Sequence, residues 1–84
     1  MWIISRSTGV MLKRSTIVKI EKREEHIRVW RGNVPNDGAS ADTIYVKRND
    51  RPIDDVFDDI AFALTHGSAN SAIEIMENGD VHFR

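Results

Sequence analysis

Residues 53–64 read IDDVFDDIAFAL, setting four aspartates and a phenylalanine in one short segment. At helical spacing Asp54/Asp58 and Asp55/Asp59 become i, i+4 pairs, with Cβ atoms about 6 Å apart on one flank. Like charges this close repel by about 0.3 kcal/mol per pair, and a cation or a basic surface would relieve them. Magnesium or calcium sites, however, draw oxygen ligands from a loop or from several elements, not from one helical flank. The row therefore reads as a solvated face or, more sharply, as a docking surface for a basic protein partner. Phe62 lies about 180° from Ile53 on an ideal helix, among these acids. Either the returning C-terminal hairpin covers it, or it is an aromatic anchor in a dimer or partner contact, or it simply stands exposed.

A second set of residues suggests different chemistry. Segments 26–31 (HIRVWR) and 42–48 (DTIYVKR) alternate apolar and polar side chains. Period two places Ile27, Val29, Ile44 and Val46 inward, and Arg28, Trp30, Thr43, Tyr45 and Lys47 outward. Arg31 and Arg48 stand at the strand ends nearby. Cations interleaved with rings suit single-stranded nucleic acid, where phosphates need charge and bases need a stacking surface. An ordinary cross-strand aromatic pair, a subunit contact or a contact with a protein partner accounts for the same residues. The aromatic motif of RNA-recognition domains is absent.

Nothing else is placed for catalysis. His26, His66 and His82 lie in three different elements without metal-ligand spacing, and there is no cysteine. No serine sits in a nucleophile-elbow context, and no glycine-rich loop precedes the helical segment. The sequence assigns no catalytic residue, no metal ligand and no cofactor, and the expectation is a protein that is not an enzyme.

The elements that must carry these residues follow from periodicity and turn chemistry. Residues 1–6 (MWIISR) read as a strand, Ser7-Thr8-Gly9 as a turn, and residues 10–22 as strand, with Val18 and Ile20 facing in. Residues 23–25 make a turn, and residues 32–41, with two glycines and a proline, a long loop. Pro52 suits a helix start, Asp54 and Asp55 complement its positive pole, and Gly67 suits its end. The helix stripe is Ile53, Val56, Phe57, Ile60, Ala61 and Leu64. Residues 67–71 connect to strand 72–76, then Asn78-Gly79 signals a hairpin to residues 81–84. The expected fold is α+β: a mostly antiparallel sheet of about four to six strands with one amphipathic helix packed on one face.

Eighty-four residues make a single domain, residues 1–84, with 40% hydrophobic and 30% charged side chains. Charge is lopsided: ten Lys/Arg against five Asp/Glu through Arg48, then two against eight, so +5 and −6 make the net −1. Opposite fields on different surfaces are expected unless the halves interdigitate. The apolar opening MWII stops at Ser5, too short for an export signal or a membrane span, so a cytoplasmic protein without membrane contact is expected. A fold this small without disulfides gains from association, so a homodimer is expected as well.

The opening Met1-Trp2-Ile3-Ile4-Ser5, the hairpin strands and the later helix resemble small uncharacterised proteins of Gram-positive bacteria and their phages. The resemblance covers those five residues and the order of elements. The loop at residues 32–41 and the terminal hairpin depart from it. It implies a fold and a kind of host, not a reaction. The function expected from all this is a non-catalytic protein-interaction or adaptor module of phage or mobile-element origin. The alternative is a single-stranded nucleic-acid-binding domain using Arg28, Trp30, Tyr45, Lys47 and Arg48.

Overall fold

The computed structural model describes residues 1–32, 41–48, 51–67 and 71–84. The expected loop at residues 32–41 and the connection at 67–71 therefore fall largely outside the described residues. Among the described residues, seven strands and one α-helix follow in the order β1 (Trp2–Ser5), β2 (Val10–Lys13), a 3-10 turn (Arg14–Thr16), β3 (Ile17–Lys22), β4 (His26–Arg31), β5 (Ala41–Val46), α1 (Ile53–His66), β6 (Ala72–Ile75) and β7 (Val81–Phe83). The fold class is α+β, and the strands partition into two sheets where a single sheet was expected. One has the order β2-β1-β6-β7, the other β3-β4-β5.

The partition begins at the 3-10 turn. Residues 10–22 look continuous in sequence, but Arg14–Thr16 coils, and the Thr16 hydroxyl donates to the Lys13 carbonyl at 2.7 Å. That break sends β2 and β3 into different sheets. β1 pairs antiparallel with β2 through a turn in which Gly9 takes φ +74°, a conformation that costs glycine little. β1 also pairs in parallel with β6, joining Ile3 to Ile73 and Ser5 to Ile75 across most of the chain. β6 and β7 close the sheet as the hairpin that Asn78-Gly79 predicts, with Gly79 at φ +93°.

Two bulges correct the expected alternation. Between β4 and β5 the register runs from Ile27↔Tyr45 to Arg28↔Thr43, leaving Ile44 as an extra residue. A bulge of this kind shifts every later side chain to the opposite face. Tyr45 therefore turns inward and is fully buried beside Ile44, while Val46 points out at 39% exposure. Between β3 and β4 the register steps from Ile17↔Arg31 to Lys19↔Trp30. Val18, expected to face in, is expelled and 70% exposed.

Hydroxyl groups from the β1–β2 turn bind the bulged strand. Ser5 Oγ donates to the Ile44 carbonyl at 2.5 Å, Thr8 Oγ1 to the Thr43 carbonyl at 2.7 Å, and the Val46 N–H donates to Ser7 Oγ at 3.0 Å. Buried backbone groups need partners, and short side chains supply them here. The two sheets and the helix then share one core. Ile3, Ile73 and Ile75 enter it from the first sheet, Ile27, Val29, Ile44 and Tyr45 from the second. The helix contributes Val56, Ile60 and Ala63, so its buried stripe is centred on these residues and Ala61 is only half-buried. Gly67 ends the helix in an extended conformation, φ −76°, not in the left-handed turn that a glycine stop commonly adopts.

Candidate partner-binding faces

The aspartate row is partly answered within the chain. Lys22 pairs with Asp54 at 2.6 Å, and Arg51 bonds Asp59 and also reaches Asp80 at 3.7 Å. The hydrogen bond to Asp54 raises the Lys22 pKa, with the Asp58 charge assisting. Asp59 does the same to Arg51. Asp55 and Asp58 remain exposed. Phe62 is 57% exposed, and its ring stacks on His66 of its own helix, centroids 4.0 Å apart and planes 14° off parallel. The C-terminal hairpin does not cover it. That hairpin meets the helix at Val56, on the buried side, and leaves Phe62 in solvent, so the explanation of Phe62 by a returning hairpin is corrected.

The basic–aromatic face is also rearranged. Arg28 and Trp30 do lie on the outer face of β4, and Lys47 and Arg48 are exposed beyond β5. Tyr45 is removed from this face by the Ile44 bulge. Lys19, not singled out from sequence for this face, takes the vacated role: its ammonium lies 5.7 Å from the Trp30 ring centroid, and the Arg28 guanidinium 5.0 Å. Glu21 accepts from Arg28 and Arg23 and lies 3.6 Å from Lys19, so one carboxylate gathers three cations. The Arg28 hydrogen bond holds the Glu21 carboxyl below its ordinary pKa. Stacking of a base on Trp30 would have to displace cations already seated there.

Sequence reasoning passed over a third surface, the outer face of the four-stranded sheet. The pairing registers lay it out in rows. Lys13, Trp2 and Ala72 stand side by side, and Ala72 exchanges backbone hydrogen bonds with Arg84. The next row is Met11, Ile4, Glu74 and His82. Trp2 is 41% exposed and Met11 58%, while the opposite face of the same strands is core. Lys13 lies 5.9 Å from the Trp2 ring centroid.

Glu74 is the polar centre of this face. Its side chain is only 10% exposed, because Arg6 Nε donates to one carboxylate oxygen at 2.6 Å and Arg84 Nε to the other at 3.2 Å. The Arg6 hydrogen bond, with the charge of Arg84, lowers the Glu74 pKa against the opposing effect of burial. A signal for this face was present in the sequence. In AIEIM the glutamate between two isoleucines must point away from the core, and Trp2 and Ile4 share its side once β1 is paired to β6.

Among the described residues no group of three or more His, Asp or Glu is arranged to hold a metal ion. No described helix is long and apolar enough to cross a membrane. Comparison with protein-family models, curated proteins and solved structures finds no match.

Proposed function

We propose that this chain is a non-catalytic protein-interaction module that docks its partner on the outer face of the four-stranded sheet. The observation that carries the reading is the exposure of Trp2 and Met11 on strands whose other face enters the core through Ile3 and Leu12. Tryptophan, methionine and arginine are the side chains enriched where protein surfaces meet, and a central Trp commonly carries much of the binding energy. Phe62 and the aspartates lose ground to this face, since Lys22 and Arg51 already answer part of their charge. The nucleic-acid reading loses Tyr45 and finds Trp30 already stacked against two cations. A cytoplasmic setting, which the lack of cysteine suits, and a phage or mobile-element origin belong to the same proposal.

The test is affinity capture from host lysate with the wild-type chain and with Trp2→Ser, Trp30→Ser and Phe62→Ser in parallel. A partner lost with Trp2→Ser alone supports the reading. Loss confined to Phe62→Ser or Trp30→Ser moves the interface elsewhere. Anisotropy with a labelled mixed oligonucleotide at two salt concentrations decides the alternative, because phosphate contacts weaken steeply with salt. Sedimentation of the same variants shows whether the partner is a second copy of this chain.

A further inference from the structure

The outer face of the four-stranded sheet divides in two. Trp2, Ile4 and Met11 form an apolar half over β1 and β2, and Arg6, Glu74 and Arg84 an ionic half centred on β6. One guanidinium is enough to neutralise a carboxylate, yet Glu74 is held by two. The cluster keeps a net positive charge. Each arginine side chain uses its Nε on Glu74 and makes no further hydrogen bond to the described residues, so the terminal nitrogens of both keep donors to offer. The side chains remain accessible, at 50% and 59% exposure. Guanidinium groups already ordered by a neighbour lose less freedom when they bind a second oxyanion, and their planar forks match carboxylate geometry.

We infer that Arg6 and Arg84, anchored on Glu74, form a preorganised seat for the carboxylates of an acidic protein segment whose apolar side chains dock on Trp2, Ile4 and Met11. The inference rests on the interaction-module reading and adds the chemistry of the partner. Charge complementarity selects the occupant, since Lys13 extends the positive rim at the far side of Trp2. A nucleic acid asks for ring after ring to stack on, and this face offers a single indole beside two aliphatic side chains.

The experiment follows the arginine Nε–Hε signals of the intact protein by NMR while hexaglutamate is added at low salt. The Arg6 and Arg84 signals should move together and saturate with a Kd of about 1 mM or tighter, a range in which weak single-site contacts are found. Arg23 and Arg48 should respond at least about tenfold more weakly. Parallel movement of all four signals, or no movement at Arg6 and Arg84, overturns the inference. The variant Arg6→Gln with Glu74→Gln, which keeps the cluster's net charge, should weaken binding at least about fivefold, and unchanged binding overturns the seat. The wild-type titration decides the matter even where that variant fails to fold. Tighter binding of hexathymidylate than hexaglutamate at these signals, at equal salt, also overturns it in favour of nucleic acid. A silent seat in a chain that still captures its partner through Trp2 defeats this inference alone. Capture that survives Trp2→Ser defeats the module reading, and the docking half of this inference with it.

Discussion

Tyr45 is packed against the backbone of Gly79. A Cβ placed on residue 79 would stand 3.0 Å from the Tyr45 hydroxyl oxygen and 2.8 Å from Val56 Cγ2, and Gly79 already holds φ +93°. The tip of the C-terminal hairpin is therefore seated on a side chain from β5 and another from the helix, and it closes the core from the side. Gly79→Ala should destabilise by about 1–3 kcal/mol, combining positive-φ strain with overpacking. Urea unfolding checks this, and a loss below about 0.5 kcal/mol would show that the hairpin tip shifts freely.

The Tyr45 hydroxyl itself is buried with no hydrogen-bond partner among the described residues. A buried donor without a partner costs about 1–3 kcal/mol. Tyr45→Phe should accordingly leave stability unchanged or raise it, in contrast to most core substitutions. A midpoint that falls in urea would mean the hydroxyl is bonded after all.

Ile60 and Phe62 are two residues apart on one helix and should behave oppositely. Ile60 is fully buried, so Ile60→Ala should cost about 2–5 kcal/mol. Phe62 meets solvent and His66, so Phe62→Ser should fall within about 0.5 kcal/mol of wild type. Thermal and urea unfolding of the two variants side by side provide the comparison.

Glu74 links stability to acid. Its pKa in the fold lies below the ordinary 4.5, so the stabilisation it contributes is complete above that value and is lost as pH falls through the folded-state value. Glu21 acts with the same sign. Wild-type Tm should therefore decline below pH 4.5, and Glu74→Gln should decline less steeply while keeping the share due to Glu21. Identical slopes in a differential scanning series would place the acid response elsewhere.

Much of this architecture was legible from side-chain pattern. The helix at Ile53–His66, the Asn78-Gly79 hairpin and the inward Ile27 and Val29 follow from periodicity and turn chemistry, which are local properties. What pattern could not supply was one extra residue. Ile44 is an ordinary strand residue in sequence, and nothing adjacent marks it as a bulge. The hydroxyls of Ser5, Ser7 and Thr8 accommodate the shift, from about 40 positions away in the chain. That single insertion reversed Tyr45 and Val46. Val18 was reversed in the same way.

The candidate site was harder to read for a related reason. MWIIS is apolar on both sides of the strand, so alternation alone cannot say which side is covered. Only the parallel pairing of β1 with β6 puts Trp2 and Ile4 beside Glu74, and no local signal announces which strands will be neighbours. Charge showed the same limit. The basic and acidic halves of the chain meet at Arg6–Glu74 and Lys22–Asp54, so a lopsided sequence becomes a partly compensated surface.

The parallel register of Trp2–Ser5 with Ala72–Ile75 also governs when the molecule can assemble. Closing a long loop carries an entropy cost before any of its contacts form, and topologies dominated by distant pairings fold slowly. During synthesis β1 leaves the ribosome about 70 residues before its central neighbour β6. Until then Ile3 lacks Ile73 beside it, and one edge of β1 is an open template for any passing strand. Pairing β1 with a strand so distant in sequence thus leaves an interval of synthesis in which this side of the core cannot close.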